Sequence, residues 1–205
     1  MERRSFLAGA FFLVAGAFAA EQSAAAAADP AALISNLGSR ALAVLGKGTS
    51  EPQRVARFRE LLHEDFDVPG IARFVLGRYW NTATEAQRAE FVKLFDEYIA
   101  MVYANRLAEY TGETFKVTGS RPEAGGGAIV TSQILRPSGA APVKVDWRLT
   151  GDNGSYKIAD VLVDGISMAV TQRSEFASVI QHNGGQVQGL IAMLRQKTGA
   201  PERSP

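Results

Sequence analysis

The residue types that most often carry enzyme chemistry are scarce in this chain and do not fall at catalytic spacings. Of the 205 residues none is Cys, and His63 and His182 are the two histidines. This composition excludes thiol catalysis, disulfides, zinc ribbons and multi-histidine metal sites. The run Gly165-Ile166-Ser167 has the first half of a nucleophile elbow, but the second Gly is missing and we expect no strand-to-helix turn there. The sequence therefore predicts no serine nucleophile.

The carboxylates also lack a clear catalytic or metal-binding pattern. His63-Glu64-Asp65 with Asp67 brings four potential ligands together, but we interpret them as the hydrated end of a polar helix rather than a metal site. Asp160 and Asp164 share a strand face that we expect to meet water. The glycines at 125–127 open no helix, so they do not form a phosphate cradle.

Charge and composition further limit the classes of function and fold that suit this protein. Lys and Arg number 22 and Asp and Glu number 21, which gives a net charge of +1. Nucleic-acid binding requires a dense basic face, and this balance does not support one. With 46% hydrophobic and 9% aromatic residues, the chain suits one globular domain with a sizeable core.

Residues 1–28 are predicted to be an export signal that is removed. A positive start, Met1-Glu2-Arg3-Arg4, precedes the apolar run Phe6–Ala20, and Ala17-Phe18-Ala19 has the small-x-small form of a cleavage site. As a helix the run would rise about 22 Å, short of the ~30 Å hydrocarbon core. Arg3-Arg4-Ser5-Phe6-Leu7 resembles a twin-arginine motif, with an ordinary secretory signal or an uncleaved anchor as alternatives. We expect a periplasmic mature protein.

From Asp29 to Gly112, apolar residues recur at three- and four-residue steps, which predicts helices. Capping residues mark four helix starts, at Asp29-Pro30, Ser50, Asp67 and Thr84. The last of these helices is expected to reach Gly112, about 27 residues or ~40 Å. A helix this long in a small domain needs an extended surface to pack on, and a sheet supplies one.

After Gly112 the period of the apolar residues changes to two, which predicts strands. We expect strands that start at Phe115 and that cover Ala128–Leu135, Val143–Thr150 and Tyr156–Asp164, with Ile166, Met168 and Val170 extending the sheet. Ser174 is predicted to cap a further helix, and a last helix covers Val187–Lys197.

This order of elements predicts one α+β domain over residues 29–198, followed by a flexible tail at 199–205. Helices would cover one face of a curved, four- to five-stranded antiparallel sheet. Such a shell can close as a solid core or enclose an apolar pocket, and composition alone leaves both outcomes open.

Several segments of residues 29–197 resemble the MlaC family, also called toluene-tolerance ABC-transport auxiliary proteins. The most specific resemblance is IADVLVDGISMAVTQRSEFASVI (Ile158–Ile180), which follows VDWRL at 145–149 and a glycine turn. The segment Asp65–Phe91 and the helix that holds Tyr98 and Tyr103 match the order found in the family. These motifs are structural signatures rather than catalytic ones.

The resemblance implies a single α+β domain, NTF2-like or cystatin-like in shape, whose apolar pocket takes the acyl chains of a phospholipid. It implies a periplasmic carrier that moves lipid between an outer-membrane lipoprotein complex and an inner-membrane ABC transporter complex. No catalytic residue, metal or cofactor is implied, and the bound phospholipid is cargo. Partners are thus lipid and transport complexes, and not nucleic acid.

Strand alternation together with the resemblance predicts the pocket wall. The strand side would consist of Val117, Val130, Val145, Trp147, Leu149, Val161, Val163, Ile166 and Met168. The helix side would consist of Phe74, Val75, Tyr79, Phe95, Tyr98, Ile99, Val102 and Tyr103. The strand at 128–135 is apolar on both faces, so its register is open by one residue.

Two alternatives remain at this point. A related branch of the family is associated with hopanoid genes, and the sequence does not separate the branches. A cone-shaped α+β shell can also host isomerase or dehydratase chemistry around a buried Tyr and an acid. Tyr79, Tyr98 or Tyr103 would then have to meet a carboxylate, and we predict none on the inner strand face.

Overall fold

The helices and strands follow the order that the sequence predicts. The structure, a computed structural model, describes residues 29–44, 49–108, 112–152 and 155–200. The predicted export signal and residues 201–205 lie outside these ranges. The helices are α1 (Pro30–Val44), α2 (Glu51–Asp65), α3 (Val68–Leu76), α4 (Tyr79–Thr82), α5 (Glu85–Leu107), α6 (Met168–His182) and α7 (Val187–Thr198). The strands are β1 (Thr114–Pro122), β2 (Ala128–Leu135), β3 (Val143–Asp152), β4 (Ser155–Val163) and β5 (Ile166–Ser167).

Side-chain caps start the helices where the sequence placed them. Asp67 accepts a hydrogen bond from the Gly70 amide at 3.0 Å and begins α3. Thr84 and Gln87 form a reciprocal capping box at the start of α5, with distances of 3.0 and 3.2 Å. The α5 helix has 23 residues and ends at Leu107, short of the predicted Gly112.

The sheet is an antiparallel meander of five strands in the order β1-β2-β3-β4-β5. The register shifts between Val117 and Gly119 and again between Arg148 and Leu149. Such bulges bend a strand and increase its twist. The prediction of a four- to five-stranded antiparallel sheet with helices in a single α+β domain is confirmed.

The junction between the sheet and α6 differs from the prediction. Only Ile166 and Ser167 extend the sheet, whereas Met168 and Val170 are already helical. The cap is Ser167, whose hydroxyl accepts from the Val170 amide at 3.0 Å. Ser174 lies inside the helix and donates to the Val170 carbonyl. The expectation of no strand-to-helix turn at Ser167 is therefore wrong, because Gly165 (φ 83°) reverses the chain just before it.

Buried side chains form two clusters. The helical cluster joins α3, α5, α6 and α7 and contains Phe91 and Phe176, whose rings meet edge to face at 5.9 Å. The sheet cluster consists of Ile34, Leu37, Leu61, Val130, Leu149 and Ile158. It joins α1 and α2 to the inner face of the sheet. Between these two clusters the interior is open.

Candidate functional site

An apolar cavity of about 600 Å³ lies between the helices and the sheet. Its walls come from α1, α2, α3 and α5 on one side and from β1, β3, β4 and the start of α6 on the other. The volume falls within the roughly 300–1,000 Å³ of small-molecule sites. The shell therefore encloses a pocket, an outcome that composition alone could not decide.

Ten of the seventeen residues predicted for the wall line this cavity. They are Val75, Phe95, Ile99, Tyr103, Val145, Trp147, Val161, Val163, Ile166 and Met168. The strand members pair across the sheet, Val145 with Val163 and Trp147 with Val161. Residues paired in this way point to the same face, so β3 and β4 present one continuous apolar surface.

Three predicted strand residues do not reach the cavity. Val130 and Leu149 are fully buried in the sheet cluster, and Val117 packs against it. They share the inner face of the sheet with the lining residues, but α1 and α2 fill the space in front of them. Alternation gives the face of a residue and not the depth at which a helix closes over it.

Four predicted helix residues also lie elsewhere. Tyr79 and Tyr98 pack in or against the helical cluster, with the Tyr98 ring 6.2 Å from that of Phe176. Val102 is half-buried one turn further along the Tyr98 side of α5. Phe74 is 43% exposed, and the Arg173 guanidinium lies over its ring.

The apolar face of α5 thus divides into two stripes. Phe95, Ile99 and Tyr103 follow each other at four-residue steps and line the cavity. Phe91 and Tyr98 contact Phe176 of α6 instead. A helix that packs on two neighbours needs a broad apolar face, and the sequence shows its width but not its division.

The wall residues that sequence reasoning missed come mainly from α1 and α2. They include Leu37, Ala41, Leu42, Phe58, Leu61, Leu62, Phe66 and Ile71. Their helical periodicity is visible in the sequence, but nothing in it shows that these helices face the sheet. Phe115 and Ile134 also line the cavity, and Phe115 shares its strand parity with Val117.

A hydrogen bond fixes the register of β2 that the sequence left open. Trp147 Nε1 donates to Ser132 Oγ at 2.9 Å, and Ser132 Oγ donates to the Val145 carbonyl at 3.2 Å. Ser132 is fully buried. The side chains of Val130, Ser132 and Trp147 therefore lie on the inner face of the sheet. A buried hydroxyl and a buried indole N–H each need a hydrogen-bond partner, and this register supplies both.

Asp160 is buried, at 8% exposure, and lines the cavity, so the expectation that it meets water is wrong. Its carboxylate accepts from Ser167 Oγ at 2.6 Å, from the Val161 amide at 2.8 Å and from the Ala169 amide at 3.1 Å. These contacts place a negative charge at the positive N-terminus of α6. Asp160 thus anchors that helix, and the same contacts occupy the Ser167 hydroxyl.

Tyr103 is the tyrosine of the cavity wall, and its hydroxyl is in the neutral form at physiological pH. Burial raises the pKa of Tyr103, and the nearby Arg106 guanidinium opposes this rise only in part. A neutral phenol can donate a hydrogen bond to a ligand oxygen.

The interpretation of the acidic segment His63-Glu64-Asp65 as a hydrated helix end is wrong for Asp65, which is buried at the end of α2. Arg40 of α1 forms ion pairs with Glu64 and with the buried Asp65, the latter at 2.5 Å. His63 Nε2 lies 2.9 Å from an oxygen of Asp96. In the ranges that the structure describes, no three His, Asp or Glu side chains gather closely enough to hold a metal ion.

The cavity opens at one end of the sheet. The strand register brings the start of β1 and β3 and the end of β2 and β4 to the same end of the sheet. Exposed lining residues lie at this end of the sheet or on the adjacent helix ends, namely Leu42, Arg106, Asp164 and Ile166. We call this end of the cavity the mouth. The opposite end is filled by the sheet cluster.

Helices on an antiparallel sheet, with an apolar cavity between the two layers, define a protein of the α+β class that is built around a pocket. The chain belongs to the MlaC family: the family model described as "MlaC protein" matches residues 36–196. Among the described residues, no helix is long and apolar enough to span a bilayer.

Two curated relatives match parts of the chain. The intermembrane phospholipid transport system binding protein MlaC of Haemophilus influenzae is 27% identical over 131 residues, 62% of this chain and 60% of that protein. The toluene tolerance protein ttg2D of Pseudomonas putida is 28% identical over 144 residues, 68% of this chain and 66% of that protein. The chain thus spans less than two thirds of the length of either relative.

A solved structure shares the fold. It is a phospholipid-binding protein from Ralstonia solanacearum in complex with a phospholipid, with a TM-score of 0.69 and 24% identity. The alignment covers 84% of this chain and 98% of that chain.

Proposed function

We propose that this protein binds a phospholipid by its acyl chains in the cavity and carries it through the periplasm. The observation that carries the proposal is an apolar cavity of about 600 Å³, open at one end, in a member of the MlaC family. The name of the Haemophilus influenzae relative supports transport of phospholipid, and the phospholipid bound to the Ralstonia solanacearum protein supports the cargo.

The free energy of keeping acyl chains from water favours a deep pocket in a lipid carrier. Two acyl chains hold roughly thirty methylenes, each worth about 0.8 kcal/mol when kept from water. Gross burial is then on the order of 25 kcal/mol, and a carrier must provide most of it to compete with the membrane that the lipid leaves. Release requires that few polar anchors hold the tail, and the wall matches this requirement.

The proposed lipid-binding wall keeps the ten predicted residues that line the cavity and adds the α1 and α2 residues. Met168 suits a wall that must adapt to different chains, because its side chain is flexible and polarisable. Trp147 is held by Ser132 and gives the wall a fixed surface.

Export and domain limits also belong to the proposal. Residues 1–28 would direct the chain to the periplasm, residues 29–198 would form the lipid-binding domain, and residues 199–205 would form a flexible tail. The carrier would exchange lipid with an outer-membrane lipoprotein complex and an inner-membrane ABC transporter complex, as the family resemblance implies.

We infer that the protein is not an enzyme. The strongest support is the state of Asp160, the carboxylate in the wall near Tyr103. Both of its oxygens already accept hydrogen bonds from the start of α6 and from Val161. A general base needs a free lone pair directed at its substrate.

Solvent extraction followed by mass spectrometry tests the proposal. Protein expressed with its export signal and purified without detergent is expected to release about one diacyl phospholipid per chain. A hopanoid in its place would assign the protein to the hopanoid-associated branch. Absence of any lipid would contradict a carrier function.

Val145→Arg sharpens this test. Val145 is 4% exposed and faces the cavity, so a guanidinium there would meet acyl methylenes and abolish lipid loading. Val145→Phe fills the cavity without a charge and should also reduce loading. Thr150→Arg, at an exposed position of the same strand, should load as the unmodified protein does. Circular dichroism checks that each variant is folded.

A further inference from the structure

Four arginines gather on one surface of the helical layer. Arg73 belongs to α3, Arg78 follows it, Arg88 lies in the first half of α5 and Arg173 lies in α6. The guanidinium carbons of Arg73 and Arg88 lie 6.0 and 5.5 Å from the centre of the Trp80 ring. Arg88 Nε also donates to the Trp80 carbonyl at 2.7 Å. One indole therefore holds two of these cations side by side.

Arg173 joins the same surface from α6. Its guanidinium lies over the Phe74 ring at 5.2 Å, and a Cβ atom at Gly77 would lie 2.8 Å from its Nε. Arg78 is the next residue in the chain, and it donates to Tyr79 Oη at 2.9 Å. We call the four arginines together with Phe74 and Trp80 the arginine patch.

No acidic side chain pairs with the arginine patch in the part of the chain that the structure describes. Residues 68–84, which supply Arg73 and Arg78, contain no Asp or Glu. The exposed acids nearest in sequence are Glu85 and Glu175, and the ion pairs of the described residues include neither of them. Like charges held close together repel each other, and an acidic partner would remove that repulsion.

Exposed apolar side chains connect the arginine patch with the mouth. Phe74, Val170 and Ile166 are three of the four large hydrophobic side chains that are exposed in the described ranges. Val170 precedes Arg173 by three residues on α6, so the two are neighbours on one helix face. Ile166 lines the cavity at its mouth. The cationic surface is thus continuous with the opening of the cavity.

We propose that the arginine patch, with Val170 and Ile166, is the docking face for a protein partner that presents carboxylates around an apolar centre. Arginine and tryptophan carry much of the binding free energy at protein interfaces. A guanidinium that is already held on an aromatic ring loses little further freedom, and its planar fork matches a carboxylate. Such fixed positions suit the fixed carboxylates of a folded protein better than the mobile phosphates of a membrane.

This inference rests on the proposed function, because a partner that docks here lies beside the mouth and can pass lipid to or from the cavity. The two transport complexes are therefore the probes. The purified inner-membrane ABC transporter complex and the purified outer-membrane lipoprotein complex of the same bacterium are immobilised, and binding of the lipid-loaded, unmodified protein is measured by biolayer interferometry.

Arginine variants assign the binding to the patch. Arg73→Gln and Arg173→Gln are each expected to weaken binding to one of the two complexes about fivefold, and the double variant about twentyfold. Val170→Ser should weaken it as well, because the apolar centre is lost. Arg57→Gln removes the same charge from an exposed position of α2 and should bind as the unmodified protein does. Added salt should weaken binding of the unmodified protein more than that of the double variant.

Lipid extraction separates docking from cargo binding. Each variant should still carry about one phospholipid per chain and keep the circular dichroism spectrum of the unmodified protein. A double variant that binds both complexes as tightly as the unmodified protein would overturn the docking face. Arginine-dependent binding to phosphatidylglycerol vesicles, without binding to either complex, would also overturn it and assign the patch to a membrane. Lack of lipid in the unmodified protein would instead contradict the carrier function.

Discussion

At the scale of single residues, Asp160 and Ser167 show how polar side chains with a catalytic appearance serve structure. The serine stands at a strand-to-helix turn with a carboxylate 2.6 Å from its hydroxyl. That hydroxyl also caps the Val170 amide, and the carboxylate caps Ala169. The pair joins β4 to the start of α6 beside the cavity.

Asp160→Ala is predicted to destabilise the protein by about 2–4 kcal/mol. The substitution leaves the buried Ala169 amide and the half-buried Ser167 hydroxyl without this acceptor, at about 1–3 kcal/mol for a fully buried group and less for a half-buried one. Urea unfolding followed by circular dichroism measures the change. Asp160→Asn, which keeps one acceptor and the side-chain shape, should lose about half as much. A loss below about 0.5 kcal/mol for the alanine variant would contradict the anchoring role.

At the scale of elements, Arg40 fastens α1 to α2 over the cavity. Its side chain is 34% exposed and contacts Glu64, at 63%, and Asp65, at 8%. Burial raises the pKa of Asp65, and the hydrogen bond and charge of Arg40 counter that rise. The α1 helix supplies Leu37, Ala41 and Leu42 to the cavity wall, so this contact positions part of the wall.

Arg40→Gln is predicted to destabilise the protein by about 1–3 kcal/mol at pH 7. This is below the cost of breaking a fully buried pair, because water screens Arg40 and Glu64. A folded-state pKa above the unfolded value means that the folded protein binds the proton more tightly. The contribution of Asp65 to stability is therefore full below the unfolded pKa, near 3.8, and is lost as pH rises through the folded pKa.

Without Arg40 the folded-state pKa of Asp65 rises further, so the loss of stability should shrink as the pH falls from 7 toward 5. Urea unfolding at the two pH values measures this difference. Arg57→Gln, which removes an exposed arginine of α2, should show little change at either pH. A loss of stability independent of pH in Arg40→Gln would disprove the coupling to Asp65.

At the scale of the whole molecule, the fold combines two packed hydrophobic clusters with one empty cavity. The helical cluster and the sheet cluster provide the packed cores, and the cavity between them holds no side chain. Bound cargo would complete this interior, so stability and loading should be linked.

Removal of lipid is predicted to lower the melting temperature by about 5–10 °C. A ligand at a hundred times its Kd stabilises the folded state by about 2.7 kcal/mol, and each kcal/mol shifts the melting temperature of a chain this size by about 2–4 °C. Calorimetry of extracted and reloaded protein measures the shift. Val145→Arg should melt at the same temperature with or without added lipid. A shift of equal size in that variant would place the lipid outside the cavity.

Much of the fold and part of the cavity wall follow from local pattern. The start of α5 at Thr84 and the span Ala128–Leu135 of β2 were predictable because a capping box and a period of two are set by neighbours in the chain. Val145, Trp147 and Val163 were predictable as wall residues for the same reason. Asp160 was not, because its burial depends on α6 returning over the end of β4.

The sequence by itself determined the element order, the inner face of β3 and β4 and the scarcity of catalytic residue types. Tertiary structure alone decided that α1 and α2 cover the sheet, that Val130 and Leu149 lie at its filled end and that Asp160 is buried against the start of α6. The physical reason is the distance along the chain over which each effect acts. Periodicity and capping act within a few residues, whereas a cavity is the space that remains when distant elements pack against each other.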